Sequence, residues 1–512
     1  MTDAIPRIVS TDEAGAILAT FVASESLPSP TASSSVPAHD QKEKRVTSGV
    51  NTHGFVGRNR SVRLDIIRPG NRDHSGLFAH LGSLGDARRF FCDVFLPAGW
   101  PHSVTEDYAE YQIYDSLQAF CSSIAGLLAS RAVLEGVGVG DATASTTTAV
   151  LLSILQESLG RVTTIAFAHR LGTSLEPECK SYRLLADVFN DAAMILECLS
   201  PVFPRPSRVP VLACASALKA LCGVAAGSSK ASLSAHFARW GNLGELNAKD
   251  SSQETVISLL GMLAGSAVVS FIRNPVPTWI ALLVLLAAHL FLNYRAVRAV
   301  RLRTLNRQRA CIIFTSWVGR SRIPNPAEVA SHERIFERDG VVRDPSGLVI
   351  GHCMIGVGFE EYIRRSSGSM SEGRTYNVDR GLLAAAGERG ARHGFLLHVD
   401  GATRHCWIAL AKDCTVEQQV RAWFTACRTL QLLNDRTWMS RQSATDEKTA
   451  LSERDSSSQA PAVQATKEAE EFVTATFGRL WHELPRAGWD VKTAALETRR
   501  STRFALSTDA EG

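Results

Sequence analysis

Asp187, Asn190 and Asp191 interrupt an otherwise apolar helical run that also carries Glu197. Carboxylates four residues apart share one helix face, with Asn190 beside them. Burying such groups is costly unless cations or hydrogen-bond donors meet them. Arg131, Lys219 and Lys230 are the candidate cations, and Glu135, Gln253 and Glu254 complete a candidate ligand-binding set. The readings left open are a polar cavity between helices that recognises a small polar ligand, and a structural charge network or a solvated face.

Other chemistry is poorly supported. Gly136-Val137-Gly138-Val139-Gly140-Asp141 lacks the lysine and hydroxyl of a phosphate loop, and no strand is predicted before it. The neighbours His352-Cys353 and His405-Cys406 raise the question of a metal, but adjacent strand residues point to opposite faces, so no metal or other cofactor is expected. His102 with Tyr108, Tyr111 and Tyr114 has no nucleophile at a telling spacing, and no catalytic residue is assigned. Eleven cysteines without CxxC pairs read as free thiols in a reducing compartment.

The elements that must position these residues are mainly helical and unusually apolar. Val256 to Leu292 forms an apolar hairpin interrupted only by Arg273-Asn274-Pro275-Val276-Pro277, with Gly261 and Gly265 in a GxxxG pattern that suits close helix contact. Six arginines and no carboxylate follow between Arg295 and Arg309. Arg295, Arg298, Arg301 and Arg303 are thus expected to flank a membrane on its cytosolic, matrix or stromal side. The alternative is a hairpin buried in a soluble bundle. Ser116–Ser130 and Ala142–Gln156 are uncharged and rich in small residues, which enrich membrane-helix interfaces. Leu134–Gly140 also resembles Leu221–Gly227, a weak sign of internal repetition.

A net charge of +4 on 512 residues is too small to argue for nucleic acid, and none is expected as a partner. Mean hydropathy of −0.01 excludes a carrier built wholly of long apolar spans. The first 60 residues, Ser/Pro-rich in part and acidic near the start, read as a disordered leader. The expected organisation is that leader, a helical domain over 61–309 containing the hairpin 256–292, and a soluble α+β domain over 310–440. A linker over 441–465, then a short helix and tail over 466–512, complete it. Strands are expected at 310–315, 348–359, 394–400 and 405–412, followed by an amphipathic helix from Val416.

The block Phe95-Leu96-Pro97-Ala98-Gly99-Trp100-Pro101-His102-Ser103-Val104 with Asp107-Tyr108 and Tyr111-Gln112 resembles the RUS (root UVB sensitive) family. So do Ser130 to Gly140, Leu185 to Asp191, Leu199-Ser200-Pro201, Gly241-Asn242-Leu243 and Ser252-Gln253-Glu254-Thr255, in that order. The resemblance spans roughly residues 90–271, and the module after Arg309 looks like the more variable C-terminal region of that family. It implies a membrane-associated protein linked, in plants, to vitamin B6 homeostasis and UV-B responses, with no agreed enzymatic mechanism.

On this basis the chain is expected to be a non-enzymatic protein of an intracellular organelle membrane that senses a ligand or acts as a scaffold. The lipid membrane, a B6 vitamer such as a phosphorylated form, and a family paralogue or second copy are the expected partners. The alternative is a secondary transporter of a small polar metabolite.

Overall fold

The computed structural model describes residues 7–11, 17–24, 46–47, 63–67, 92–137, 146–272, 274–367, 390, 392–443, 459–499 and 502–505. Two compact units are present. One comprises residues 1–106 with 238–253, and the other 107–237 with 254–512.

In the first unit, strands β1 (Arg7–Thr11), β2 (Ile17–Ser24), β3 (Val46–Thr47) and β4 (Arg63–Ile67) pair antiparallel in the order β1-β2-β4-β3. The leader expected to be disordered therefore contributes strands. Its Ser/Pro stretch masked the flanking runs Arg7-Ile8-Val9 and Ile17-Leu18-Ala19-Thr20-Phe21-Val22, whose β-branched and aromatic residues favour strand. Elsewhere in this unit Ser103 O accepts from Arg239 N at 3.1 Å, and Glu245 accepts from Ala98 N at 2.7 Å. Gly99 holds φ +73°, and a Cβ there would lie 2.3 Å from the Trp240 ring, so both backbone conformation and close approach demand glycine.

The second unit begins with long helices: α1 (Tyr108–Val137), α2 (Thr146–Leu171), α3 (Cys179–Leu199), α4 (Arg205–Phe237), α5 (Leu243–Phe271) and α6 (Pro275–Ala299). Helix α5 starts in the first unit and continues here. The predicted hairpin is thus α5 and α6, and both helices outrun the apolar stretches read from sequence. At 29 and 25 residues they extend about 44 and 38 Å. Cβ atoms at Gly261 and Gly265 would lie 2.6 Å from Ser123 and 2.7 Å from Leu127, so the GxxxG pair is where α5 meets α1. The internal similarity near Leu134–Gly140 falls partly outside the described residues.

Successive helices run antiparallel. Asp107 at the start of α1 bonds His236 at the end of α4 and Arg301 N beyond α6, whereas Arg131 far along α1 reaches Ile272 O at the end of α5. Helix α3 lies inside, packing Met194 and Cys198 with Ala125 and Leu128 of α1 and Leu282 and Leu286 of α6. Its Ala186 packs with Phe167 of α2 and Ala225 of α4. The outer helices instead present large apolar side chains outward, including Ile165 (70% exposed), Leu263 (62%) and Phe271 (87%). Among the described residues five helices, all of these except α3, are long and apolar enough to cross a membrane.

The remainder is a smaller α+β region: α7 (Arg307–Arg320), α8 (Pro326–His332), β5 (Val341–Arg343), β6 (Val349–Ile355), α9 (Phe359–Ser367), β7 (Phe395–Asp400), β8 (His405–Ala411), α10 (Val416–Ser443), α11 (Gln459–Glu483) and β9 (Arg503–Phe504). The sheet order is β5-β6-β8-β7, with β9 also on β8, and the β6–β8 pairing is parallel. Trp423, Phe424 and Leu430 of α10 and Ile313 and Phe314 of α7 share one core with Ile350, Ile408 and Val399 of the sheet.

Residues 310–315, expected as a strand, belong to α7. Asn306 caps that helix by accepting from Arg309 N at 2.9 Å, and Ala310, Ile313, Phe314 and Trp317 bury one helical face. Ile312-Ile313 suggested strand by composition; the cap and the spacing decided otherwise. The last helix is also longer than predicted, starting at Gln459 rather than near 467. The mainly helical first part followed by an α+β region agrees with expectation.

Candidate functional site

A buried polar centre forms where α1, α3 and α6 meet. Helix α3 supplies Arg183, Asp187, Asn190 and Asp191, whose three- and four-residue spacing aligns them on its inner side. Helix α1 supplies Tyr111, Asp115, Gln118 and Ser122, and α6 supplies His289 and Asn293 four residues apart.

His289, 1% exposed, faces a carboxylate with each ring nitrogen: Nδ1 is 2.7 Å from Asp191 Oδ1 and Nε2 is 3.3 Å from Asp187 Oδ2. Arg183 donates through Nη1 to Asp187 Oδ1 at 3.3 Å and through Nη2 to Asp115 Oδ1 at 2.5 Å. Its Nε donates to Tyr111 Oη at 3.3 Å. Asn293 Nδ2 donates to Arg183 O at 3.2 Å and also to Asp187 Oδ2, which fixes its amide orientation. Asn190 Nδ2 donates to Ser122 Oγ at 3.2 Å, beside the centre.

Two acceptors are left over. Asp191 Oδ2 and Asn293 Oδ1 are buried without a hydrogen-bond partner. Even with His289 protonated, the two cations face three carboxylates, so the centre is one positive charge short. It suits a donor-bearing or cationic group and disfavours an anion, which like charge would repel. The phosphorylated ligand expected from the sequence is therefore a poor match here.

Of the predicted ligand residues, the structure brings Asp187, Asn190 and Asp191 together and leaves the others elsewhere. Arg131 donates to Val269 O and Ile272 O, closing the end of α5, and pairs with Glu135. Lys219 pairs with Glu197, and Lys230 with Glu254. Gln253 donates to Phe95 O. Sequence reasoning missed Arg183, Asp115, His289 and Asn293. Their signals were Arg183 four residues before Asp187, the lone Asp115 at the edge of an uncharged run, and the His289/Asn293 spacing within an apolar helix.

The predicted membrane-flanking arginines contact protein, Arg295 and Arg298 through the guanidinium and Arg301 and Arg303 through the main chain. Arg295 donates to Tyr114 Oη at 2.9 Å, and Arg301 N donates to Asp107 Oδ2 at 2.6 Å. Arg298 donates to Ser331 O and Glu333 O, and Arg303 O accepts from Asp490 N. Arg298 thus joins a clasp at the start of α3, where buried Glu333 receives Lys180 Nζ at 2.5 Å and Arg309 Nη1 at 2.7 Å. Burial works to raise the Glu333 carboxyl, but Lys180 and Arg309 prevail and hold it below the usual range. At neighbouring Glu178 burial prevails over Arg307 and Arg309, and the carboxyl is raised.

In the sheet, His352 and His405 are register partners whose rings stack at 5.0 Å, and Cys353 and Cys406 are partners one residue on. Among the described residues no group of three or more His, Cys, Asp or Glu is placed to hold a metal.

Comparison with known proteins agrees with this two-part architecture. The profile of the vitamin B6 photo-protection and homoeostasis domain matches residues 83–321, and that of the root UVB sensitive protein C-terminal region matches 382–499. The chain belongs to the RUS family. This RUS-family chain is 43% identical over 249 residues to RUS family member 1 of Dictyostelium discoideum, covering 48% of this chain and 47% of the relative. It is 35% identical over 245 residues to protein root UVB sensitive 3 of Arabidopsis thaliana, covering 48% and 55%. The chloroplastic protein root UVB sensitive 2 of the same plant is 26% identical over 265 residues, covering 52% and 60%. The aligned part spans about half the length of these relatives. No solved structure matches this RUS-family chain.

Proposed function

We propose that this chain is an organelle-membrane protein that contributes to vitamin B6 homeostasis by sensing a small polar ligand at the Asp187–His289–Asp191 centre. One observation carries the reading: an ionisable cluster sits inside helices whose outward faces are apolar. Large contiguous apolar surface marks a partner or a membrane, and ionisable groups inside membrane helices mark ligand or ion sites. The family domain matched over 83–321 supports vitamin B6 as the metabolic context. The charge deficit at Asp191 favours an amine-bearing, unphosphorylated vitamer such as pyridoxamine.

The α+β region follows α6 directly, so it lies on the side of the bilayer where α6 ends. The arginines after Leu292 make that side the cytosol, matrix or stroma. A secondary transporter is the second reading, favoured by the central position of the charged helix α3 among membrane-length neighbours.

Carbonate extraction with protease protection of the full chain tests the membrane part. Retention in the pellet is expected; a monodisperse product without detergent would sink it. Pyridoxamine should raise the unfolding temperature of purified protein, and the double variant Asp187→Ala/Asp191→Ala should remove that response. Vitamer flux into proteoliposomes would select the transporter reading over the sensor.

A further inference from the structure

The two carboxylates that face His289, one at each ring nitrogen, carry a proton count. A neutral imidazole has one N–H and one bare nitrogen, and ionised carboxylates have acceptors only. His289 nevertheless hydrogen-bonds Asp191 through Nδ1 at 2.7 Å and turns Nε2 to Asp187 Oδ2 across a 3.3 Å ion-pair contact, where a bare lone pair would face a carboxylate. One proton serves one of these contacts; the other needs a second, on the ring or on a carboxyl.

We propose that Asp187, His289 and Asp191 bind one exchangeable proton between them and that this proton competes with the ligand. The claim about ligand competition rests on the ligand-site reading above, whereas the proton itself does not.

The surroundings support retention of that proton. On α1, Asp115 and Tyr111 face Arg183, and Gln118 donates to Asp115. On α3, Arg183 also contacts Asp187. On α4, Cys222 is within electrostatic reach of Asp187 and Asp191, and Lys219 is already engaged by Glu197. On α6, Asn293 donates to Asp187 and offers no charge. Without the added proton Arg183 alone faces three carboxylates, Asp187 and Asp191 buried and Asp115 partly so. With it, one negative charge remains, located by the unpartnered Oδ2 of Asp191. The unprotonated centre carries two surplus negative charges; an ammonium ligand at that oxygen and a proton in the triple each neutralise one, and each lowers the attraction left for the other. Proton uptake from water therefore weakens ligand binding, and ligand entry releases a proton to water.

The test uses the full chain in lipid nanodiscs without ligand. Ring-nitrogen NMR of histidine-labelled protein reads whether His289 is doubly protonated, and His289→Gln identifies its signal. Infrared difference spectra between acid and alkaline buffer read any buried carboxylic acid, with Asp187→Asn and Asp191→Asn as assignments and Glu197→Gln as control. The expected result is a doubly protonated ring, or a carboxylic-acid band that an Asp187 or Asp191 variant removes and the control keeps. A singly protonated ring with no such band overturns the proposal. If His289→Gln does not fold, the ring signal's response to Asp191→Asn serves instead. Pyridoxamine is then titrated at several pH values, with affinity expected to fall as the medium is acidified. A proton signal without pyridoxamine binding removes the ligand reading and leaves the proton site standing; binding without a proton signal does the reverse.

Discussion

His289 Nδ1 on α6 lies 2.7 Å from Asp191 Oδ1 on α3, and neither side chain meets solvent. This contact joins the innermost helix to the most apolar one through charge rather than packing alone. Its neighbours are therefore sensitive to the loss of any single member.

Asp187 shows this most directly, since it accepts from Arg183 and Asn293 and pairs with His289 at 3.3 Å. Asp187→Ala should cost about 3–5 kcal/mol, the range for breaking a buried ion pair by removing one partner. Unfolding in detergent monitored by circular dichroism measures it. A loss below about 1 kcal/mol would show that the network does not hold the helices together.

Two glycine substitutions should act in opposite directions. Gly261→Ala places a methyl 2.6 Å from Ser123 and 3.1 Å from Phe120 O, so α5 must move away from α1 at about 1–3 kcal/mol. Gly223→Ala in α4 meets nothing within 4 Å and should stabilise by about 0.4–1 kcal/mol through the unfolded chain. Unfolding temperatures of the two variants, compared side by side, check both signs.

Glu333 sets an acid limb. Its folded-state carboxyl lies below the ordinary 4.5, so its stabilising contribution is complete above that value and is lost as pH falls through the folded one. Glu178, raised by burial, shifts the other way and stabilises the fold on protonation, partly offsetting the loss. Glu333→Gln should flatten the acid limb and, by leaving Lys180 and Arg309 buried without their anion, cost about 3–5 kcal/mol at neutral pH. Stability against pH for both proteins reads the difference.

Cys214 on α4 is exposed, whereas Cys311, Cys353, Cys406 and Cys427 are buried. In membranes a charged maleimide should spare Cys214 while a lipid-soluble one labels it; in detergent-free solution both would react. The four buried thiols should react only after unfolding. Burial pushes Cys353 and Cys427 upward, which slows them further. Mass-spectrometric mapping of the adducts decides the matter.

Much of this was legible in the chain itself. The GxxxG at Gly261 and Gly265 predicted a close helix contact because small residues permit little else, and the structure supplies Ser123 and Leu127 as its partners. Asp187 and Asp191 could be placed on one face because helical spacing is local. Of their partners Arg183, four residues before Asp187, was within local reach, whereas Asp115 and His289 are chosen by which helices pack together. Arg131 and Lys219 seemed plausible by charge alone, yet each satisfies a nearer acceptor. The strand reading of 310–315 failed because composition was weighed above the cap at Asn306. The sheet pairing that sets His352 against His405 joins residues far apart in sequence, and no periodicity encodes it.

Lys180 and Asp191 lie on one unbroken helix, about 16 Å apart along its axis. Its first turn is moored to Glu333 in the α+β region and its middle to His289 among apolar neighbours. A stiff rod fixed in this way cannot tilt at the inner mooring without straining the outer one. Movement at the buried charge centre is thereby coupled to the Glu333 clasp through the helix itself.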